Sequence, residues 1–275
     1  MPELPEVEVI RLGLAPRLEG RRLLAVSVGE KRLRRESSPG ELQRWVTGRR
    51  LLTLERRGKY LLFHLDGGVT LLIHLGMTGR LWLGPAPMPS LPHSHLTFRV
   101  EGGLELVFQD MRRFGQVLVF PPEEKVAPLD QVGREPFSRG VTPGWLADQA
   151  RGRSRPLKNF LLDGRVLAGI GNIYASEIMF AARLHPALPV GRLSLAQWAR
   201  VLQETRRILK AAIRKGGTTV ANFVNSRGET GLFQFELLVY GRKGEPCQRC
   251  GTPIARLSQG GRSTFFCPTC QKPAE

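Results

Sequence analysis

The four cysteines of this 275-residue chain lie close together near its carboxyl end. They form two C-x2-C pairs separated by 16 residues, in the order Cys247, Cys250, Cys267 and Cys270. This spacing is typical of a four-thiolate zinc site, which leaves no open position for water. Two disulfides are the alternative, and a reducing compartment argues against them. We therefore expect one structural Zn²⁺ that holds a small β-hairpin, and no organic cofactor.

The charge balance points to a polyanionic partner. The chain has 41 Lys and Arg against 24 Asp and Glu, a net charge of +17. Residues up to Phe137 carry 20 basic and 16 acidic side chains, whereas the rest carries 21 and 8. Such a field attracts nucleic acid, and charge alone leaves a membrane surface or ribosomal RNA open as alternatives.

Composition argues against a disordered, secreted or membrane-spanning chain. Hydrophobic residues make up 41% of the sequence, which is enough for a packed core. No apolar run approaches the roughly 18 residues of a membrane helix. The first ten residues, MPELPEVEVI, hold three glutamates and lack the basic segment of a secretory signal. We expect a cytoplasmic protein with no membrane partner.

The first half of the chain predicts one helix followed by many short strands. Pro5 suits a first helical turn, and Val7, Ile10 and Leu14 then share one face. Short glycine-containing turns separate the apolar runs, which favours an antiparallel β-sandwich. The expected strands are 23–28, 50–55, 60–65, 69–75, 81–83, 96–100, 104–108 and 116–120.

Helices dominate the second half. Prolines between Pro121 and Pro143 predict a linker, and helices are then expected from Ser154, over 172–183 and from Ser194. The last of these has Gln197 as the partner in a capping box. Its expected apolar stripe is Leu195, Trp198, Leu202, Leu209 and Ile213. The predicted division is 1–131 for the sandwich, 132–150 for the linker, 151–237 for a helical region with a loop at 218–234, and 238–275 for the zinc hairpin.

The amino terminus is a candidate chemical site. Removal of Met1 would expose Pro2 as a secondary amine with a pKa of about 8, against about 10.4 for lysine. Attack of that amine on a sugar aldehyde carbon gives a cationic iminium, an electron sink for elimination. Glu3 and Glu6 lie close by in sequence and offer proton transfer. The alternative is that Pro2 is merely compatible with this position and that both glutamates favour a helix start.

Six motifs occur in order along the chain: MPELPEVE, RRGKYL, HLGMTGRL, DMRRFG, GIGNIYASE and GGRSTFFCPTCQ. Together with the cysteine spacing they resemble the formamidopyrimidine-DNA glycosylase family over essentially the whole chain. The resemblance implies an α+β fold, with an N-terminal antiparallel β-sandwich flanked by helices. A C-terminal helix-two-turns-helix domain with a four-cysteine zinc-finger β-hairpin would follow.

The resemblance also implies a function in bacterial base-excision repair. A protein of this family is a bifunctional glycosylase and abasic-site lyase that removes 8-oxoguanine and formamidopyrimidines. Its partner would be double-stranded DNA with oxidised purines or abasic sites. We expect it to act as a monomer in the cytoplasm, associated with the nucleoid.

Catalytic roles follow from the resemblance, residue by residue. Pro2 matches the Schiff-base nucleophile, and Glu3 matches the proton donor that opens the deoxyribose ring. Glu6 matches a carboxylate that supports the amino terminus. Lys59 matches a phosphate contact and proton donor for elimination, and Arg262 matches the corresponding group for δ-elimination.

Contacts to DNA follow in the same way. Met77, Arg112 and Phe114 would fill the space that an extruded nucleotide leaves. Met111 stands where the family usually has proline, so the backbone geometry before Arg112 is open. The other implied contacts are phosphate contacts by His74, Asn172, Lys59 and Arg262, Lys158 near the damaged strand, and Thr218 and Thr219 in the loop over the lesion.

Two alternatives remain at this level. The endonuclease VIII branch of the superfamily prefers oxidised pyrimidines, but it typically begins PEGPE and lacks the three inserted side chains. This chain has Leu4 where that branch has glycine. A non-catalytic DNA-binding relative would share the charge and the zinc hairpin, but it has no need for Pro2, Glu3 and Lys59 together.

Overall fold

A computed structural model describes residues 1–218 and 231–273 of the chain. The chain divides into two compact units. The first unit comprises Met1–Asp130 and Lys215–Gln234, and the second comprises Gln131–Arg214 and Phe235–Glu275. Within the described residues, no helix combines the length and the apolar character needed to cross a bilayer.

The regular elements of the described residues are as follows. The α-helices are α1 (Leu4–Leu18), α2 (Pro39–Val46), α3 (Pro143–Ala150), α4 (Leu157–Leu161), α5 (Asn172–Ala181) and α6 (Leu195–Arg214). The strands are β1 (Leu23–Val28), β2 (Arg35–Glu36), β3 (Leu51–Arg57), β4 (Tyr60–Leu65), β5 (Thr70–His74), β6 (Arg80–Pro85), β7 (Ser94–Val100), β8 (Leu104–Gln109), β9 (Gln116–Phe120), β10 (Ala255–Gln259) and β11 (Arg262–Phe266).

Two sheets form the body of the first unit. One has the strand order β1-β7-β8-β6, and the other has the order β2-β9-β5-β4-β3. Alternate residues of both sheets, such as Phe63, Phe98 and Phe108, are buried in one apolar cluster that also takes in α1 and α2. This is the predicted sandwich with flanking helices. Its pairings are antiparallel except at the two-residue strand β2, which runs parallel to β9.

Sequence patterns located the eight longer strands of this unit and missed two elements. Strands β1, β4 and β9 have the predicted bounds, and the others differ by one to two residues at an end. Strand β2 and helix α2 were not predicted. Helix α2 has a clear start signal, since the Ser38 hydroxyl accepts from the backbone N–H of Glu41 at 3.2 Å.

The second unit is helical, with the β10–β11 hairpin at its end. Helix α6 buries Trp198, Leu202 and Leu209 of the predicted stripe on one face. Val201 and Ile208 are also buried there and were not predicted, whereas the predicted Ile213 is only half-buried. Leu195, which was expected on that stripe, is 60% exposed because it lies at the first turn of the helix. The predicted capping box is present, with the N–H of Ser194 donating to Gln197 Oε1 at 2.8 Å.

The segment between the sandwich and these helices is more ordered than its prolines suggested. A 3₁₀ helix covers Ala127–Gln131, and α3 begins at Pro143 after Thr142, whose hydroxyl accepts from the N–H of Trp145 at 3.1 Å. Helix α3 packs against α6. Proline is favourable at the start of a helix, so Pro143 begins this helix instead of breaking it.

Candidate functional site

The two amino-terminal carboxylates are buried at the start of α1. Glu3 is 3% exposed and Glu6 is 2% exposed, and Pro2 beside them is also buried. The backbone N–H of Glu3 donates to Glu6 Oε2 at 2.9 Å, which fixes the chain where the helix begins. A carboxylate is favourable there because the first turn of a helix has free N–H groups and a positive dipole end.

Glu6 also holds a distant part of the same unit. Its Oε1 accepts from the backbone N–H of Thr218 at 2.9 Å and from the Thr218 hydroxyl at 3.0 Å. Gly217 approaches so closely that a Cβ there would lie 3.1 Å from Glu6 Oε1. Thr218, predicted to lie over the lesion, is therefore bonded to the amino-terminal segment. Thr219 lies outside the described residues.

Charged groups of both signs surround the terminal amine. Burial lowers the pKa of the Met1 ammonium group below its ordinary value. The carboxylates of Glu3 and Glu6 oppose that shift, and the cations of Lys59 and Arg112 add to it. Lys59 belongs to the turn between β3 and β4, so the hairpin brings it to the amine. A lowered pKa increases the neutral, nucleophilic fraction of an amine.

His74, at the end of β5, is held as a neutral ring. Burial, with a contribution from Lys59, lowers its pKa to about 4. The backbone N–H of Gly76 donates to His74 Nδ1 at 3.1 Å, so the ring proton lies on Nε2. His74 therefore presents a neutral N–H donor and not a positive charge.

The three side chains expected to enter DNA lie on two loops of the first unit. Met77 is 40% exposed and Phe114 is 38% exposed, so both side chains reach the surface. The guanidinium carbon of Arg112 lies 4.8 Å from the centre of the Phe114 ring. These residues therefore present apolar and cationic surface together.

The loop that holds Arg112 is fixed without the family's proline. Asp110, which is fully buried, accepts from the N–H of Arg112 at 3.2 Å and from the N–H of Gly115 at 2.7 Å. Met111 itself is 59% exposed. The hydrogen bonds of the Asp110 carboxylate thus constrain the backbone around Arg112, although Met111 stands where the family usually has proline.

A basic cleft beside this loop was missed from sequence. Its volume is about 510 Å³, and its lining includes Lys31, His93, Met111 and Arg113, with Glu30 as the acidic member. His93 and Arg113 both have positive φ, at 63° and 57°. Lys31 begins a basic run, which was the available signal. Nothing local in the sequence indicates that His93 and Arg113 meet there.

The implied phosphate contacts of the second unit converge on the β10–β11 hairpin. Asn172 Nδ2 donates to the carbonyl oxygen of Ser263 at 3.0 Å, next to Arg262. Gly260 and Gly261 form the predicted two-residue tip, with φ of 58° and 71°. Positive φ at both positions matches a type I′ turn, which glycine adopts without strain.

Lys158 differs from what the resemblance implied. Its side chain is fully buried, and its Nζ donates to the Ser263 carbonyl at 3.0 Å and to the Thr264 hydroxyl at 2.6 Å. Burial, with a contribution from Arg262, lowers the pKa of Lys158 to about 8. In the described conformation, Lys158 is hydrogen-bonded to the strand that holds Arg262, and its side chain is not accessible to DNA.

The four cysteines are gathered as a metal site requires. Their Sγ atoms all lie within 4.8 Å of one another, with contacts of 3.5 Å for Cys250–Cys267 and 4.0 Å for Cys247–Cys270. Zinc–sulfur bonds of about 2.3 Å in a tetrahedron place sulfurs about 3.8 Å apart. Backbone N–H groups of Arg249 and Cys270 also point at cysteine sulfurs, each at 3.4 Å. The donor set fits one structural Zn²⁺.

Three family descriptions match successive parts of the chain. Residues 1–117 match the formamidopyrimidine-DNA glycosylase N-terminal domain, and residues 132–224 match the formamidopyrimidine-DNA glycosylase H2TH domain. Residues 244–273 match the zinc finger found in FPG and IleRS. These matches correspond to the sandwich, the helical region and the thiolate hairpin.

Whole-length relatives agree. A formamidopyrimidine-DNA glycosylase from Acidithiobacillus ferrooxidans is 45% identical over 272 residues, covering 99% of this chain and all of that protein. One from Bacillus licheniformis is 42% identical, with the same coverage. The Lactococcus lactis Fpg bound to abasic-site DNA superposes with a TM-score of 0.91 at 32% identity, over 98% of this chain and 100% of that chain. MutM with carbocyclic 8-oxo-G DNA gives 0.91 at 31% identity, over 99% and 100% of the two chains.

The fold and the thiolate hairpin thus define a DNA glycosylase with a zinc finger. The chain belongs to the formamidopyrimidine-DNA glycosylase family.

Proposed function

We propose that this chain is a bifunctional glycosylase and abasic-site lyase of base-excision repair. Its substrate is duplex DNA that contains oxidised purines, namely 8-oxoguanine and formamidopyrimidines. The observation that carries the proposal is the buried segment of Pro2, Glu3 and Glu6 at the start of α1. The charges of Glu3, Glu6, Lys59 and Arg112 all act on the amine of Met1, directly before Pro2. Relatives named formamidopyrimidine-DNA glycosylase support it, and so does the similar structure of MutM with carbocyclic 8-oxo-G DNA.

The chemistry begins once Met1 is removed and Pro2 has the free amine. The neutral amine attacks C1′ of the damaged nucleotide, and the base departs with the electrons of its glycosidic bond. The attacking nitrogen gives its proton to the departing base. Glu3 protonates the ring oxygen, the bond from C1′ to that oxygen breaks, and the nitrogen lone pair forms the Pro2 iminium. Loss of a 2′ proton then expels the 3′ phosphate, and a second elimination expels the 5′ phosphate. Lys59 and Arg262 serve as phosphate contacts and proton donors for these departures.

The grip on DNA comes from cations and helix ends in each unit. In the first unit we assign Lys59 and His74 to the phosphate beside the lesion, and we add Lys31 and Arg113 of the basic cleft. In the second unit we assign Arg262 and the amino-terminal end of α5 at Asn172, where free N–H groups favour a phosphate. Lys158 contributes by holding the Arg262 strand.

The wider setting follows the same proposal. One chain suffices for one lesion, so we propose that a monomer acts, in the bacterial cytoplasm and on nucleoid DNA. Cys247, Cys250, Cys267 and Cys270 hold the structural zinc that stabilises the hairpin of Arg262. The division into sandwich, linker, helical region and zinc hairpin at 131, 150 and 237 is part of the proposal.

Borohydride trapping tests the central step. The protein is incubated with a duplex that has 8-oxoguanine opposite cytosine, reduced, and mapped by peptide mass. We expect a covalent adduct at Pro2. An adduct only with an oxidised-pyrimidine duplex would assign the chain to the endonuclease VIII branch. Tight binding without any adduct would make it a non-catalytic relative.

Two substitutions separate the nucleophile from the acid. Pro2→Gly leaves a primary amine, and we expect weaker lyase activity with DNA binding retained. Glu3→Gln should abolish excision from an intact nucleotide, while trapping on a preformed abasic site persists. Loss of binding in Pro2→Gly, or unchanged excision in Glu3→Gln, would contradict these assignments.

A further inference from the structure

Two loops of the first unit are joined by one hydroxyl group. Loop A is residues 76–79, with Met77, and loop B is residues 110–115, with Arg112 and Phe114. The Thr78 hydroxyl donates to Asp110 Oδ1 at 2.5 Å and accepts from the backbone N–H of Arg112 at 3.1 Å. A single side chain next to Met77 therefore fixes the backbone of Arg112, 34 residues away in sequence.

The backbones of the two loops also touch. Gly76 has a φ of 59°, and a Cβ there would lie 2.5 Å from the Phe114 carbonyl carbon and 2.5 Å from the Gly115 nitrogen. No side chain fits in that space. Loop A therefore rests directly on the backbone that positions Phe114.

Asp110 connects this pair to the core. Its Oδ2 accepts from the N–H of Gly115 at 2.7 Å, so its two carboxylate oxygens bond the middle of loop B at Arg112 and its end at Gly115. Its carbonyl oxygen lies 2.8 Å from Nε2 of His95, which is 3% exposed. The Nδ1 of His95 lies 2.7 Å from the carbonyl oxygen of Lys31. The junction between the loops is thus anchored in buried structure.

We propose that Thr78 and Asp110 are positioning residues that make Met77, Arg112 and Phe114 one preassembled unit. The preference for one base opposite the lesion would then depend on the Thr78 hydroxyl. This hydroxyl joins the two loops by its hydrogen bonds to Asp110 and Arg112. This inference rests on the proposed function, in which these three side chains enter the duplex. Arg112 reads the orphaned base by directional hydrogen bonds, which a small backbone shift weakens.

The test compares Thr78→Val with Thr78→Ser. Valine has the shape of threonine but makes neither bond, whereas serine keeps the hydroxyl. Single-turnover excision of 8-oxoguanine is measured opposite cytosine and opposite adenine. We expect Thr78→Val to reduce the cytosine-over-adenine preference about tenfold, the effect of losing one or two good hydrogen bonds. Thr78→Ser should stay within about twofold of the parent chain.

Trapping on a preformed abasic site separates the possible failures. If the parent chain itself forms no adduct, the proposed function fails. If the parent reacts and Thr78→Val keeps its full preference for cytosine, the coupling between the loops is wrong. An equal loss of preference in Thr78→Ser and Thr78→Val would also overturn it, because the hydroxyl would then not be the cause.

A second measurement does not depend on the stability of Thr78→Val. Met77→Ala and Arg112→Ala are measured singly and together for excision opposite cytosine. One preassembled unit predicts strongly non-additive losses, since either truncation already disturbs the insertion of the other side chain. Additive losses would show two independent loops and would contradict the proposal.

Discussion

Burial and neighbouring charge together set the pKa values of single groups around the amino terminus. Burial is the larger cause that lowers the pKa of both the terminal amine and His74, and the cation of Lys59 adds to it in each case. The resemblance indicated Lys59, Glu3 and Glu6 as a group, and the charges of all three act on the terminal amine. Their catalytic roles stay a prediction. It did not indicate that His74 is neutral or that the side chain of Lys158 is buried. Both depend on burial by residues far away in sequence.

Substitution of Lys59 should shift the pH dependence of trapping. Lys59→Met removes a cation near the amine, so the pKa of the amine should rise and the acidic limb of the trapping rate should move to higher pH. Lys59→Arg keeps the charge and should leave that limb near its original position. The measurement is borohydride trapping on abasic DNA at saturating concentration. An identical shift in both variants would show that charge is not the cause.

His74 should make the protein sensitive to mild acid. Its folded pKa of about 4 lies below the ordinary value of 6.5, so the unfolded chain binds more protons between those values. The stabilisation is therefore present above pH 6.5 and is lost as the pH falls towards 4.

His74→Asn is the matched control for this effect. The asparagine carbonyl can accept from Gly76 as Nδ1 does, but it does not titrate. Denaturant unfolding is measured from pH 7 to pH 4, and the variant should lose less stability than the parent over that range. Equal losses would assign the acid sensitivity to groups other than His74.

At the scale of elements, local patterns predicted what local forces determine. Alternating apolar residues between glycine turns gave β1, β4 and β9 their observed bounds. The two-glycine tip and the capping box at Ser194 were equally readable. Helix α2 was missed because its eight residues follow a charged segment, although Ser38, Pro39 and Glu41 form a start signal. The link between loops at Thr78 and Asp110 was beyond prediction, since it depends on how two sheets pack.

One buried carboxylate connects α5 to the chain before the zinc hairpin. Glu177 accepts from the N–H groups of Leu238, Val239 and Tyr240 at 2.8 to 3.0 Å. Glu177→Ala would leave one buried and two partly buried donors without this acceptor, at a cost of about 3 kcal/mol. Glu177→Gln keeps the shape and one acceptor, so we expect a smaller loss. Denaturant midpoints check the order, and equal stability of the alanine variant would contradict it.

For the whole molecule, the bound zinc and the positive net charge should determine DNA binding. Chelation of zinc, or Cys267→Ser, should abolish DNA binding, because the Arg262 hairpin loses the bonds that hold it. The first unit has its own apolar core and should stay folded. Circular dichroism and a DNA-binding titration measure both effects. Full affinity after metal removal would exclude a binding role for the hairpin.

Salt dependence should report the individual phosphate contacts. With a net charge of +17, affinity for duplex DNA should fall steeply as salt rises. Arg262→Ala should reduce the slope of log K against log salt by about 1. Arg207→Ala makes the same change in net charge at a surface ion pair with Glu204, and should leave the slope unchanged. Equal slopes for the two variants would remove Arg262 from the interface.

The bond between Glu6 and Thr218 has a consequence for the order of synthesis. The ribosome makes Thr218, the partner of this carboxylate, 212 residues after Glu6. In between, the chain makes most of the second unit before it returns to the first. All strands of the sandwich have been made by Phe120, so they are present before Thr218 is available to bond Glu6. A nascent chain therefore contains the proposed nucleophile Pro2 and the proton donor Glu3 early. It gains the contact that holds Glu6 only late in translation.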